Sequence, residues 1–458
     1  MQEFDIAVLG GGIAGISAAR RAAELDAKVC LIEKKRLGGN CFHQGLYPYQ
    51  RIIQQIRVQQ TGHPVEDSGP DIKKIIQEAK EVCRKISGQW QASLTECGIH
   101  LEMGQGFLVN AKELVVHTSE GEKLIRARKI ILAPGSSTAA PTTLPFDGHR
   151  IISSEQASNM DEIPEKVLIL GGDSLGCETA CLFNHLRSRT FLCDSRPRLM
   201  MDQDPDLTQA LETQLKKQKL KLLLNKKVLS IYKNEDKIDI TLEGGIRFDV
   251  NQIVHAGDRN PNSQELGTQN PGLELGNYGE VLVDEMMETT LKGVYAVGSV
   301  TGRPLSDCLS QEEGRVAAEN ALGKTKKLNI DWVPRIIHTD PEIASVGCFA
   351  RDAHHKGFRA VEGRCDFSQL DHAFLHGESE GMIKIVAEKS TRKVIGAQIV
   401  APRASEFIPL MLLAIKKGLT VHSLGRLSCG FSTRFQGVWE AARACIRAIK
   451  QESGRPGN

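Results

Sequence analysis

An α/β chain with two βαβ units and a separate C-terminal α+β region is what this sequence predicts, and three observations lead there. A short apolar run over 4–10 ends in Gly10-Gly11-Gly12 and passes into an alanine-rich stretch of helical period. The same design returns over 167–194, where VLILGGDSLG leads into a helical stretch that TFLCD closes. From about Val333 the pattern changes, with IVAEKSTRKVIGAQIV reading as a hairpin-like strand pair and 407–417 as an apolar helix. A short apolar run, a glycine turn, a 3.6-residue period and a second short run spell strand, turn, helix, strand. Two such units predict two nucleotide-binding-type domains.

The bulk numbers agree with this division. At 458 residues the chain exceeds what one hydrophobic core supports, so two to four packed units are expected. Residues 1–150 form the first unit and 151–280 the second. The buried runs 128–135 and 293–299 return the chain to the first unit, so 281–332 belongs with it; 333–450 is the C-terminal unit and 451–458 is expected, by composition, to be a disordered tail. Net charge is +2 with both signs interleaved, which argues against nucleic-acid or membrane binding. The basic run 216–227 reads as a solvated helix face. No apolar run approaches the roughly 20 residues of a membrane helix, and the first residues lack the features of a secretion signal. The 12 cysteines are scattered without CxxC spacing; Cys177 and Cys181, one helical turn apart, read as buried small residues, not as metal ligands. A reducing cytoplasm is expected.

In the first loop Gly10, Gly12 and Gly15 permit a tight turn, close approach of a pyrophosphate and close helix packing. Glu33 follows at the end of the second strand, roughly 20 residues on, where a carboxylate accepts ribose hydroxyls. In the second loop Gly171 and Gly176 persist, but Asp173 stands at the middle glycine, crowding and repelling phosphate. Asp194 ends the next strand and suits a ribose of NAD, with Arg196 two residues beyond it.

With GGNC at 38–41, Gly104-Gln105-Gly106-Phe107, HTDPEIASVG at 338–347 and the segment 377–400, the chain resembles the flavin-dependent pyridine nucleotide-disulfide oxidoreductases, among them dihydrolipoamide dehydrogenase, mercuric reductase and soluble transhydrogenase. The resemblance implies two Rossmann-like dinucleotide-binding domains plus a C-terminal α+β dimerisation domain, in a homodimer. It implies FAD at the first fingerprint, touching Gly39, Gly106, Gly135 and Ser299, and NAD at the second, with Glu178 at the helix position of the family's flavin-facing glutamate and Gly257 as a further cofactor-binding residue.

The departures from that family pattern fall on reactive positions. The redox pattern GGxCxxxxCxPSK keeps Cys41 but has Leu46 for the second cysteine and Pro48-Tyr49-Gln50 for PSK. Leucine neither attacks nor leaves in thiol exchange. ATG becomes Ala133-Pro134-Gly135, IGD becomes Val297-Gly298-Ser299, and MLAH becomes Leu305-Ser306-Asp307-Cys308. The acid/base motif HPTxxE becomes Phe431-Ser432-Thr433-Arg434-Phe435-Gln436, leaving a proton relay without an imidazole or carboxylate; His422 upstream is expected to cap a helix, and sliding the pattern to Glu440 places no histidine.

Cys41 is then either a residual catalytic thiol, with His43 near enough to lower its pKa, or a buried one. One functional reading is a flavoprotein that moves hydride from NAD(P)H to a small acceptor, such as a quinone, a dye or a second nicotinamide, without a dithiol. The other is a degenerate dimeric scaffold. Authentic dihydrolipoamide dehydrogenase is disfavoured and would need Cys308 as a rearranged partner for Cys41. Residues 357–371 follow no recognisable pattern and are a candidate for partner specificity.

Overall fold

A computed structural model describes residues 3–62, 71–141, 144–160, 162–267, 272–430 and 432–453. The first unit runs β1 (Glu3–Leu9), α1 (Ile13–Ala23), β2 (Val29–Glu33), α2 (Gly39–His43), α3 (Leu46–Gly62), α4 (Ile72–Glu96), β3 (His100–Met103), β4 (Gln105–Asn110), β5 (Glu113–Thr118) and β6 (Gly121–Leu132). Its sheet has the order β3-β2-β1-β6-β5-β4, and the strand Val294–Ala296 joins β6 in parallel. That late strand is the expected return of the chain. It brings the helix Asp307–Ala321 onto α1, where Gly314 lets the backbones meet; a Cβ there would stand 2.3 Å from the carbonyl oxygen of Ala14.

The second unit is a five-stranded parallel sheet built on Lys166–Leu170, which pairs with Arg189–Asp194 on one side and Gln252–His255 on the other. The helix Ser174–His185 buries Cys177, Cys181 and Phe183 against it. Both thiols fill space in the core, as their helical spacing suggested. The same core takes in Ile52 and Ile56 of α3 and Ile343 and Met382 of the C-terminal unit, so all three regions share one apolar contact zone.

The basic run 216–227 departs from the helical expectation. The helix Pro205–Lys217 stops at its second lysine, and Lys221–Leu224 is a strand paired with Arg189–Asp194. Within that strand Leu222 and Leu224 pack on one face and Leu223 on the other, and sheet pairing outweighs the charge pattern from which a helix was read.

The C-terminal unit is a five-stranded antiparallel sheet in the order Arg335–Ile337, Glu342–Gly347, Val394–Ala401, Met382–Glu388, Ala360–Asp366. The two strands read from the sequence as a hairpin are paired here, and the following apolar helix is Ala404–Lys416. The unpatterned segment 357–371 supplies the edge strand Ala360–Asp366, over which the helix Gln436–Ser453 lies; a Cβ on Gly363 would meet the carbonyl oxygen of Ala441 at 2.1 Å. No helix among the described residues is long and apolar enough to cross a membrane.

Candidate functional site

A cavity of about 1000 Å³ opens between the glycine loop of the first unit and the helix Ser174–His185 of the second. Nine of the expected site residues line it: Gly10, Gly12, Glu33, Gly39, Cys41, Gly106, Gly135, Glu178 and Ser299. Gly15, Gly171, Gly176, Asp194 and Gly257 are not in its wall. Gly15 is a packing residue, since a Cβ there would lie 1.9 Å from the carbonyl oxygen of Gly10.

The loop after β1 forms a cradle that larger residues would fill. Gly10 has φ +109°, and a Cβ on it would fall 2.2 Å from the carbonyl oxygen of Ala133. At Gly12 a Cβ would meet nothing within 4 Å, so that face is open. Gly12 caps α1 without a side chain, which leaves the first amides of the helix facing outward with the positive end of its dipole. Glu33 is buried; it accepts the Gly11 amide on Oε2 (2.7 Å) and the Lys35 amide on Oε1 (2.6 Å). A carboxylate offers about four acceptor positions. Two are left here for ribose hydroxyls, so these residues fit the adenosine and pyrophosphate of a dinucleotide.

The reactive end of the cavity differs from a dithiol site. Cys41 lies in the short helix α2, which starts at the left-handed Gly38, and Leu46 begins α3 where a second sulfur was to be sought. All 12 cysteines are free thiols, Cys41 and Cys308 included. Burial pushes the Cys41 thiol well above its ordinary range, and the carboxylates of Asp307 and Glu178 push it further. His43, the group that could have lowered that pKa, has its Nε2 2.8 Å from the Leu37 carbonyl oxygen. Cys308 is raised to about 12 by burial and Asp307.

Glu178 is raised by burial, opposed by His338, whose backbone N–H donates to Oε1 at 2.8 Å. That bond spans 160 positions, and no local pattern announces it. Sequence reasoning also missed Arg259, which lines the cavity. It donates to Ser136 Oγ (2.9 Å) and carbonyl oxygen (2.6 Å) and pairs with Glu155 (2.7 Å).

The second glycine loop repeats the first at the backbone. Gly171 has φ +116°, a Cβ on Gly176 would lie 1.8 Å from the Gly171 carbonyl oxygen, and the Gly172 amide donates to Asp194 Oδ2 at 2.5 Å. Gly257 sits behind this loop, its Cα 3.0 Å from where a Gly171 Cβ would be. Arg196 pairs with both Asp173 (2.8 Å) and Asp194 (2.6 Å).

In the C-terminal unit Phe431 lies outside the described residues. Beside it, Arg434 pairs with Glu378, which His372 Nε2 approaches at 3.0 Å, while His372 Nδ1 lies 2.8 Å from the Ser432 carbonyl oxygen. His422 was expected to cap a helix and does not: Thr420 caps the short helix Val421–Leu424 by accepting the Ser423 amide. Burial and the cations of Arg392, Arg426 and Lys450 hold His422 below the usual imidazole range.

Comparison with known proteins adds the following. Residues 4–321 match the family model of pyridine nucleotide-disulphide oxidoreductases, and 333–437 match the model of that family's dimerisation domain. Dihydrolipoyl dehydrogenase of Thermus scotoductus is 31% identical over 456 residues, covering 97% of this chain and 98% of the relative. That of Chlamydia trachomatis is 29% identical with 92% of each chain covered. Mercuric reductase of Bacillus cereus is 27% identical, over 95% of this chain and 70% of the relative. Among solved structures, LpdA of Mycobacterium tuberculosis has a TM-score of 0.88 at 23% identity, covering 97% of this chain and 99% of its own, which speaks to fold alone.

Proposed function

This chain belongs to the pyridine nucleotide-disulphide oxidoreductase family, and from that premise we propose that it is an FAD-containing oxidoreductase that moves hydride between NAD(P)H and a small acceptor without a dithiol. The observation that carries the reading is the contrast within one cavity. The dinucleotide cradle of Gly10, Gly12 and Glu33 is intact, while Cys41 stands without a partner thiol and burial keeps it protonated. Bound flavin supplies two-electron transfer chemistry. The residues here bind and orient it: α1 offers amides to the pyrophosphate, Glu33 takes the ribose, and Gly39, Gly106, Gly135 and Ser299 line its path. Glu178, on the helix of the second unit, lines the same cavity and would face the flavin. In this reading 1–150 with 281–332 hold FAD, 151–280 meets the nicotinamide, and 333–450 pairs two copies as a homodimer.

The test is the visible absorption spectrum of purified protein, followed by anaerobic NADH and, separately, by dihydrolipoamide with NAD. Bound flavin that bleaches with NADH, and no dihydrolipoamide turnover, is the expected result. Dihydrolipoamide turnover that disappears in Cys41→Ser would overturn the dithiol-free mechanism.

One observation favours a second reading, a scaffold of the same fold. Departures cluster at ligand-facing positions such as Asp173, Pro134 and Ser299, while packing glycines such as Gly314 are kept. A colourless protein that refuses added FAD would select it.

A further inference from the structure

The two glycine loops differ in one side chain on one backbone. Gly12 has φ −73° and ψ −177°, and Asp173 has φ −82° and ψ −177°, each standing at the start of its helix with no side-chain hydrogen bond to the helix amides. Any residue adopts this extended conformation without strain. Nothing in the local backbone therefore demands Asp173 or forbids glycine, and the loop is otherwise built for a dinucleotide. On the face that Gly12 leaves open, Asp173 carries a carboxylate.

That carboxylate is held in place by Arg196, whose guanidinium spans Asp173 and Asp194. Nη1 donates to Asp173 Oδ1 at 2.8 Å; Nε and Nη2 donate to Asp194 Oδ1 (2.9 Å) and Oδ2 (2.6 Å). The backbone amides of Arg196 (2.8 Å) and Gly172 (2.5 Å) take the other two positions on Asp194. Asp194 thus accepts four hydrogen bonds, about the capacity of a carboxylate, where Glu33 accepts two. Arg335 also faces Asp173, although it pairs with Asp202.

We propose that Asp173 and Arg196 form a clasp that sets the nicotinamide specificity of this chain. Asp173 places negative charge on the phosphate side of the second loop, and Arg196 saturates the ribose acceptor Asp194. The second site consequently binds nicotinamide dinucleotides weakly; a change of Asp173 to glycine relieves the repulsion and tightens binding, while Asp194 stays occupied until Arg196 is also removed. Arg196, neutralised by two carboxylates, confers no preference for an adenosine 2′-phosphate. The inference rests on the oxidoreductase reading above.

The experiment uses the full-length, FAD-loaded protein. Binding of NADH, NADPH and the non-reducing probe ADP-ribose is measured by calorimetry for the natural chain, Asp173→Gly, Asp173→Asn and the double variant Asp173→Gly/Arg196→Ala. Asp173→Gly is expected to tighten NADH and ADP-ribose by about tenfold or more, the factor that corresponds to ~1.4 kcal/mol of relieved repulsion. Asp173→Asn, which removes charge but keeps bulk, is expected to gain less, and the double variant more. A dissociation constant that moves less than twofold in both glycine variants would overturn the clasp, as would natural protein that prefers NADPH. Flavin content and bleaching by dithionite, recorded on the same samples, judge the oxidoreductase reading separately.

Discussion

Cys41 shows how burial decides what a sulfur can do. A thiol is nucleophilic as its thiolate, and a raised pKa means that this form develops only at alkaline pH. Burial, Asp307 and Glu178 all act in that direction on Cys41. Iodoacetamide at pH 8 is therefore expected to modify Cys41 at least about tenfold more slowly than the exposed Cys97, read by peptide mass spectrometry. Equal rates would mean that Cys41 is an activated thiol. Leu46 and Asp173 could be seen in the sequence because each breaks a short pattern. Arg259 and the His338 amide could not: Arg259 lines the cavity from the remote strand Arg259–Pro261, and His338, just beyond the strand Arg335–Ile337, meets the cavity residue Glu178 across 160 positions.

Between elements, two charge clusters join the second unit to its neighbours. Asp340 meets Arg57 of α3 at 2.7 Å and His185, at the end of the helix Ser174–His185, at 3.0 Å. Burial opposes its charge, but His185 and Arg57 outweigh burial and hold its pKa at about 2. A carboxylate depressed in this way stabilises the fold above its unfolded pKa near 4, and that contribution is lost as pH falls toward 2. Asp340→Asn is expected to cost about 2 kcal/mol at pH 7 in urea unfolding, with the gap to the natural protein closing as pH falls from about 4 toward 2. A gap that does not change with pH would exclude the linkage.

Lys384 makes the second junction. It is buried in the C-terminal sheet and reaches Asp204 (3.0 Å), Asp206 (3.0 Å) and Glu362 (3.1 Å). Burial lowers its pKa, the hydrogen bonds to Asp206 and Asp204 raise it more, and the net shift is upward. Its contribution is thus complete below the ordinary lysine range and is lost as pH rises through the folded value. Lys384→Met leaves three carboxylates facing one another and is expected to cost about 3–5 kcal/mol by the same measurement, as for other broken buried pairs. A loss below about 1 kcal/mol would place the junction with solvent-exposed pairs.

At the scale of the whole molecule, FAD would bind between the first sheet and elements that arrive late in the chain, because the cavity wall includes Gly10 and Glu33 together with Ser299 and Asp307. A ligand held across such a junction stabilises the folded state by mass action. Free FAD at 100 times its dissociation constant is expected to add about 2.7 kcal/mol over flavin-stripped protein, read as a rise in thermal midpoint. An unchanged midpoint at saturating FAD would count against this placement.

Local pattern by itself determined the two βαβ units, the glycine loops with Glu33 and Asp194, the return of 293–299 and the C-terminal hairpin. Strand, turn and helix leave short-range periodicities, and special backbone angles select glycine. The tertiary structure alone decided three matters: that 221–224 is a strand, that Cys41 is held protonated, and that Arg196 closes on Asp173 and Asp194 together. Each depends on which groups meet across the fold. Burial, sheet pairing and charge act through space, and sequence separation does not record the distances over which they act.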